Sequence, residues 1–197
     1  MIAIVDYRAG NLASVKKAFE HIGQRPFVTS DPEIVAKAEK IVLPGVGHFA
    51  ATSTLVESGL REAIAQQIQH GVPFLGICVG MQWMLACSEE APGVAGLGIW
   101  PDQCVHFPAG VKAPHVGWNQ LEIRDNTSRL LKDIASDSFV YFTHSYRVPL
   151  LKATVAQSEY GGKFSAAVEQ DHLFGVQFHP EKSGEIGLKL LQNFCSL

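Results

Sequence analysis

Three side chains in this sequence have the types and setting of a nucleophilic triad. Cys78 stands in Gly76-Ile77-Cys78-Val79-Gly80, while His179 and Glu181 stand in His179-Pro180-Glu181. The first motif ends the apolar run Pro73-Phe74-Leu75-Gly76-Ile77 and opens a helix-like stretch, Met81-Gln82-Trp83-Met84-Leu85. A reactive side chain on such a strand-to-helix turn is a nucleophile elbow, and glycine on both flanks lets the backbone fold that tightly. Free N–H groups and the dipole at the helix start favour a thiolate there. The thiolate needs a base to carry its proton, and the base needs a carboxylate to orient it. His179 and Glu181 follow the strand-like run 173–178 and are placed to supply both. A lone cysteine before a helix is more often a packing residue. The combination of elbow and His-Pro-Glu is what assigns Cys78 as the nucleophile.

Thiolate attack on an acyl carbon creates a negative oxygen that needs preorganised N–H donors. Val79, directly after the nucleophile, supplies one. The loop Pro44-Gly45-Val46-Gly47 is suited to supply the second, through the backbone at Val46 and Gly47, because its glycines allow a peptide to flip and approach a substrate closely. The same loop is a poor phosphate cradle, since it matches neither GxxxxGK[ST] nor GxGxxG spacing.

The elements that must hold these groups alternate in the first half. Strands are expected over 2–5, 26–29, 41–43 and 74–77, and helices over 11–22, from Pro32 behind the cap Asp31, and over 60–69. That β-α-β-α order predicts an α/β fold with an open, mostly parallel, flavodoxin-like sheet and helices on both faces. The second half reads as closely spaced strands over 116–123, 139–146, 153–158, 165–169 and 173–178. A short helical piece near 128–134 and a final helix over 184–195 complete it. These strands are expected to extend the parallel core with antiparallel ribbons. In such sheets ligands bind beyond the carboxyl ends of the strands, where Cys78, the 44–47 loop and His179 all fall. No linker or repeat divides residues 1–197, which read as one domain.

Composition narrows the function classes. The chain has 197 residues with a net charge of −3, 47% hydrophobic and 18% charged residues, so nothing points to nucleic acid or an anionic membrane. No stretch approaches the roughly 20 apolar residues of a membrane span. Cys78, Cys87, Cys104 and Cys195 lack CxxC spacing and fit a reducing, cytoplasmic setting. Of the other histidines, His21, His70 and His172 read as solvated. His48 and His144 lie close to site motifs, with a structural role slightly favoured.

The segment Gly76 to Gln82 together with Gln177-Phe178-His179-Pro180-Glu181 resembles the class I (triad) glutamine amidotransferases. Asp6-Tyr7-Arg8-Ala9-Gly10-Asn11, Leu43-Pro44-Gly45-Val46-Gly47, Pro114-His115-Val116-Gly117-Trp118-Asn119, Tyr141-Phe142-Thr143-His144-Ser145-Tyr146 and His179-Pro180-Glu181-Lys182-Ser183 look more narrowly like the glutaminase subunits of imidazole glycerol phosphate synthases. The resemblance spans nearly the whole chain. Arg8 departs from it where a glycine is common, and Val79 and Val116 replace frequent Leu and Met. The resemblance implies a glutaminase of histidine biosynthesis that feeds ammonia to a (β/α)8-barrel cyclase partner in a heterodimer, with no metal or organic cofactor. It implies that Gly47, Gln82, Ser145 and Tyr146 bind glutamine, and that Asn11, Trp118, Tyr141 and Lys182 face the partner. Three alternatives stay open on the sequence: the glutaminase of another amidotransferase, a cysteine hydrolase of the same sheet type, and a binding subunit without turnover.

Overall fold

The computed structural model describes residues 1–197. Strand β1 (Ile2–Val5) leads through α1 (Leu12–His21) to β2 (Phe27–Thr29), and through α2 (Pro32–Val35) to β3 (Lys40–Gly45). A 3-10 turn (Phe49–Thr52), α3 (Ser53–Glu57) and α4 (Leu60–Gln69) connect to β4 (Phe74–Cys78) and the one-turn helix α5 (Val79–Gln82). Local chemistry accounts for these elements. Asp31 accepts a hydrogen bond from the Glu33 N–H, with Pro32 at the first helical position of α2. Helix α4 buries Leu60, Ala63, Ile64 and Ile68, a single stripe at helical spacing. Every residue of β1 and β4 is buried, as expected of strands covered on both faces.

The second half contributes β5 (Leu85–Ser88), β6 (Trp100–His106), β7 (His115–Gln120), β8 (Glu122–Ile123), β9 (Phe139–His144), β10 (Tyr146–Arg147), β11 (Thr154–Glu159), β12 (Lys163–Gln170), β13 (Leu173–Val176) and the closing helix α6 (Gly184–Cys195). The main sheet runs β2-β1-β3-β4-β13-β12-β11-β8. Its first five strands are parallel neighbours and the last three are antiparallel additions. The order 2-1-3-4 followed by a fifth parallel strand is the flavodoxin-like one. Right-handed crossovers to either side of β1 and β3 send α1 to one face and α2 to α4 to the other. The packing agrees: α1 meets α6, whereas α4 meets α2 and α3.

Four expectations need correction. The helix expected over 81–85 stops at Gln82. All five of those residues are buried, so no polar face sustains the helical pattern, and the carbonyls of Trp83, Met84 and Leu85 instead accept from the N–H groups of Leu97, Ile99 and Gly98. The chain leaves the elbow as β5, and β5 and β6, neither of them expected, form a three-stranded sheet with β10. The runs 116–123 and 139–146 are each broken, at Leu121 and Ser145, and their first parts pair with each other as the ribbon β7·β9. Residues 128–134 are turns and not a helix. The Glu169 carboxylate accepts from the Ser128 hydroxyl and the Leu130 N–H, and Asn193 donates to the Leu130 and Lys132 carbonyls, so side chains replace the helical ladder. Finally, Pro44 and Gly45 belong to β3, which places Gly45 opposite Cys78 in register.

Candidate active site

Cys78 ends β4 with φ 54° and ψ −107°, a backbone conformation that L-residues rarely adopt. Such strain costs on the order of 1–3 kcal/mol and is held by the surroundings. The flanking glycines explain how. A Cβ at Gly76 would lie 2.5 Å from the Gly80 carbonyl oxygen, and one at Gly80 would lie 1.9 Å from the Leu43 oxygen. The elbow closes on itself and on β3 only because both side chains are absent. The thiol is buried, with long contacts: Sγ lies 3.8 Å from the Thr143 carbonyl, and Gln177 Nε2 lies 3.7 Å from Sγ.

His179 follows the end of β13, the strand parallel to β4, so it arrives beside Cys78 by simple sheet adjacency. Its Nδ1 is 2.9 Å from Glu181 Oε1, and both side chains are 1% exposed. The His179 N–H donates to the Tyr141 carbonyl, the Ser183 hydroxyl donates to the His179 carbonyl, and the Tyr141 N–H donates to that hydroxyl. This frame locks the imidazole to β9. Burial alone would push its pKa down. The Cys78 thiolate, by charge and contact, and then Glu181 outweigh burial and raise it to about 10. Nε2 is nevertheless buried without a partner that meets hydrogen-bond geometry, so the coupling to Cys78 in this resting state is chiefly electrostatic. A His179 imidazolium held between Cys78 and Glu181 is the form this arrangement favours.

A cavity of about 260 Å³ opens above Cys78, lined by Val46, Gly47, Val79, Gln82, Ser145 and Tyr146 among others. All the residues expected for the oxyanion and for glutamine are therefore gathered around Cys78. Gln82 Nε2 donates to the Tyr146 carbonyl at 2.8 Å, fixing one wall. Gly47 has φ 106°, which glycine adopts freely. Glu90 also lines the cavity, and its carboxylate accepts the Phe49 N–H at 2.7 Å. The sequence reading missed Glu90 because it follows β5, itself unexpected, and nothing local distinguishes it from a solvated acid. A larger cavity of about 870 Å³ lies between the 125–134 turns and α6. It contains no cysteine or histidine, whereas the smaller one is lined by Cys78 and His144. No cluster of three or more His, Cys, Asp or Glu side chains is arranged to hold a metal ion.

The remaining expected residues form a surface. Trp118 and Tyr141 are opposed across the β7·β9 ribbon with ring centroids 6.0 Å apart, and Lys182 Nζ lies 5.7 Å from the Tyr141 ring centre. Trp118 is 55% exposed, so it is not a core residue. Asn11 stands at the N-cap of α1, where its side chain makes no capping bond. Arg8, at a position where the resemblance favours glycine, has φ 64°, and its N–H donates to Asp6 Oδ1 at 2.8 Å. His48 caps the 3-10 turn through Nδ1, and His172 is half-buried against the Ile68 carbonyl, not solvated as expected.

Comparison with known proteins agrees with this geometry. The sequence profile of the family described as "Glutamine amidotransferase class-I" matches residues 3–196. The imidazole glycerol phosphate synthase subunit HisH of Methanothermobacter thermautotrophicus is 48% identical, over 100% of this chain and 98% of that protein. The corresponding subunit of Moorella thermoacetica is 44% identical, over 100% and 94%. Among solved structures, one described as a glutamine amidotransferase superposes with a TM-score of 0.78 at 16% identity, covering 100% of this chain and 98% of that one, which supports the fold. With the elbow, the triad geometry and these full-length matches together, the chain belongs to the class I glutamine amidotransferases, and within them to the HisH subunits of imidazole glycerol phosphate synthase.

Proposed function

We propose that the cavity above Cys78 hydrolyses glutamine to glutamate and ammonia by a thioester route, and that the ammonia passes to a (β/α)8-barrel cyclase partner. That partner would use it to make imidazole glycerol phosphate and an aminoimidazole carboxamide ribonucleotide in histidine biosynthesis. The single observation that carries the reading is the strained, buried Cys78 beside a His179 held by Glu181. The Cys78 thiolate attacks the side-chain amide carbon, forming the C–S bond, and the oxygen takes the negative charge. Val79 and Val46 N–H groups, with the backbone at Gly47, stabilise that oxygen. His179 passes its proton to the amide nitrogen, the C–N bond breaks and ammonia leaves. His179 then takes a proton from water, whose oxygen attacks the thioester, and glutamate departs with the thiolate restored. Glu181 holds the imidazole tautomer and its charge in both halves. Gln82, Ser145 and Tyr146 hold the substrate's polar groups, and the Glu90 carboxylate suits its α-ammonium.

Ammonia released into water is protonated and lost, so a feeding subunit gains by waiting for its acceptor. The exposed Trp118 and Lys182, with the half-buried Tyr141 and with Asn11, are the proposed docking surface. The frame behind Tyr141 reaches His179 directly, which gives docking a route to the triad. No helix is long and apolar enough to cross a membrane, and the four free cysteines fit a reducing cytoplasm.

The experiment is Cys78→Ala in the complex with the cyclase. Glutamine-dependent turnover is expected to vanish while ammonium-dependent synthesis of product continues. Retained glutaminase turnover would overturn the role of Cys78. Loss of both activities would show that the substitution damages the assembly and not the thiolate step alone.

A further inference from the structure

The Tyr7 hydroxyl is buried and has no hydrogen-bond partner. Buried hydroxyls are ordinarily paired because leaving them bare is costly, so an orphan calls for a reason. Its position supplies one. A Cβ built on Gly45 would stand 2.6 Å from this hydroxyl and 2.6 Å from the Val79 Cβ. The hydroxyl therefore rests against the α-carbon of Gly45, directly before Val46 and opposite Cys78 in register.

Val46, Gly47 and Val79 line the catalytic cavity, and Tyr7 does not. Tyr7 thus meets Gly45 from outside the lining of that cavity. The N–H and C=O of a trans peptide point to opposite sides. When the Val46 N–H turns into the cavity to meet an oxyanion, the Gly45 carbonyl turns out at the back, toward Tyr7. The absence of a side chain at Gly45 makes room for the hydroxyl and frees the backbone to rotate.

We propose that Tyr7 is a positioning residue of the oxyanion hole, its hydroxyl donating to the Gly45 carbonyl in the productive orientation of the Gly45–Val46 peptide. The unpartnered hydroxyl marks the orientation in which the hole is not made. Burial, and then the Cys78 charge, hold the phenol well above its ordinary range, so it remains a neutral donor whenever the enzyme works. The tyrosine biases the loop toward activity without touching substrate. This inference rests on the glutaminase reading.

The test compares wild type and Tyr7→Phe, each in complex with the cyclase and its ligand. Three readouts are taken: glutaminase kcat and KM, the rate at which iodoacetamide alkylates Cys78, and the thermal midpoint. Alkylation proceeds by thiolate attack on an alkyl carbon and makes no oxyanion. Expected are a kcat lower by about tenfold, the worth of one hydrogen bond, with KM within about twofold, unchanged alkylation and an unchanged or higher midpoint. Unchanged kcat overturns the proposal. So does a parallel fall in kcat and alkylation, which is disruption of the elbow, or a clear drop in midpoint, which shows a structural hydroxyl. A wild-type complex without glutaminase turnover overturns the parent reading instead, and this inference with it.

Discussion

Two buried histidine sites lie close together in this molecule and take opposite charge states. His179 is 1% exposed, and it is held as a cation by Cys78 and Glu181 against the cost of its burial, with a pKa raised to about 10. His115 and His144, 4% and 6% exposed on the inner face of the β7·β9 ribbon, are pushed by burial down to about 4 and about 3. They pack against aromatic rings and each other, with no carboxylate beside them. His115 stacks between Phe142 and Tyr160, with centroids 4.9 and 4.1 Å away. Their hydrogen bonds assign the tautomers. The Tyr146 carbonyl can only accept, so His144 Nδ1 carries a proton, and its Nε2 accepts from His115 Nδ1. Asn119 Nδ2 then lies 3.4 Å from His115 Nε2. Equal burial gives opposite outcomes, so the charged partner decides which histidine can serve as acid and base.

The strongest way to break this contrast is to remove what makes His179 different. His179→Asn is expected to lower glutaminase kcat by about 10⁶, because the imidazole moves the proton in both half-reactions. Glu181→Gln leaves the imidazole in place without the Glu181 charge and its orienting hydrogen bond. It is expected to cost about 10⁴, with the pKa of His179 falling toward the ordinary range. The two act as a unit, so the double substitution is expected to be little worse than His179→Asn alone. Steady-state glutaminase kinetics of the three variants decide this. Losses that multiply would show two independent groups.

Stability against pH sharpens the same contrast from both ends. The folded pKa values of His115 and His144 lie below the ordinary 6.5. Stability from keeping them neutral is complete above 6.5 and is lost as pH falls toward about 4 and 3, because the unfolded chain binds protons that the folded chain refuses. Each histidine contributes a slope of up to about 1.4 kcal/mol per pH unit there. His179 and Arg147 face His144 and deepen its depression. For His179 the sign reverses: its contribution is complete below 6.5 and is lost as pH rises through about 10. Urea unfolding between pH 4.5 and 10.5 should show a maximum near pH 6.5, with stability falling on both sides. His115→Phe keeps the stacking and removes the titration, so its acid limb should flatten by about one proton. An unchanged limb would assign the acid loss to other groups.

The sequence disclosed the two halves of the fold unequally, for physical reasons. Strands β1, β3 and β4 are covered on both faces, so they read as apolar runs, and the glycines at 76 and 80 announce the elbow without reference to anything distant. Strand β6 buries only Trp100 and Cys104 and contains Pro101 and Asp102, so its strand character comes from pairing with β5 and β10. The turns at 128–134 depend on Glu169 and Asn193, far along the chain. Cys78 and His179 were legible as neighbours because each follows an apolar run that forms a strand, and those strands, β4 and β13, lie side by side. Glu90 and the unpaired Tyr7 hydroxyl were not, since their meaning arises only from what the fold brings beside them.

The smallest expected effects belong to the outer face of the ribbon whose inner face holds the neutral histidines. Strand alternation puts Val116 and Trp118 of β7, with Phe139, Tyr141 and Thr143 of β9, on that outer side. Trp118 and Lys182 are exposed, so replacing either with alanine is expected to change folding stability by less than about 0.5 kcal/mol. Affinity for the cyclase should respond more. A half-exposed tryptophan that becomes covered is the usual kind of interface anchor, and Trp118→Ala is expected to weaken binding by at least about tenfold. Lys182 is a rim charge and should matter less by titration calorimetry at moderate salt, yet more at low salt, where screening is weaker. If both variants bind the cyclase as wild type does, the docking surface lies elsewhere. The hydrogen-bonded frame from Tyr141 through Ser183 to His179 would then hold the charged histidine in place without carrying any signal from the partner.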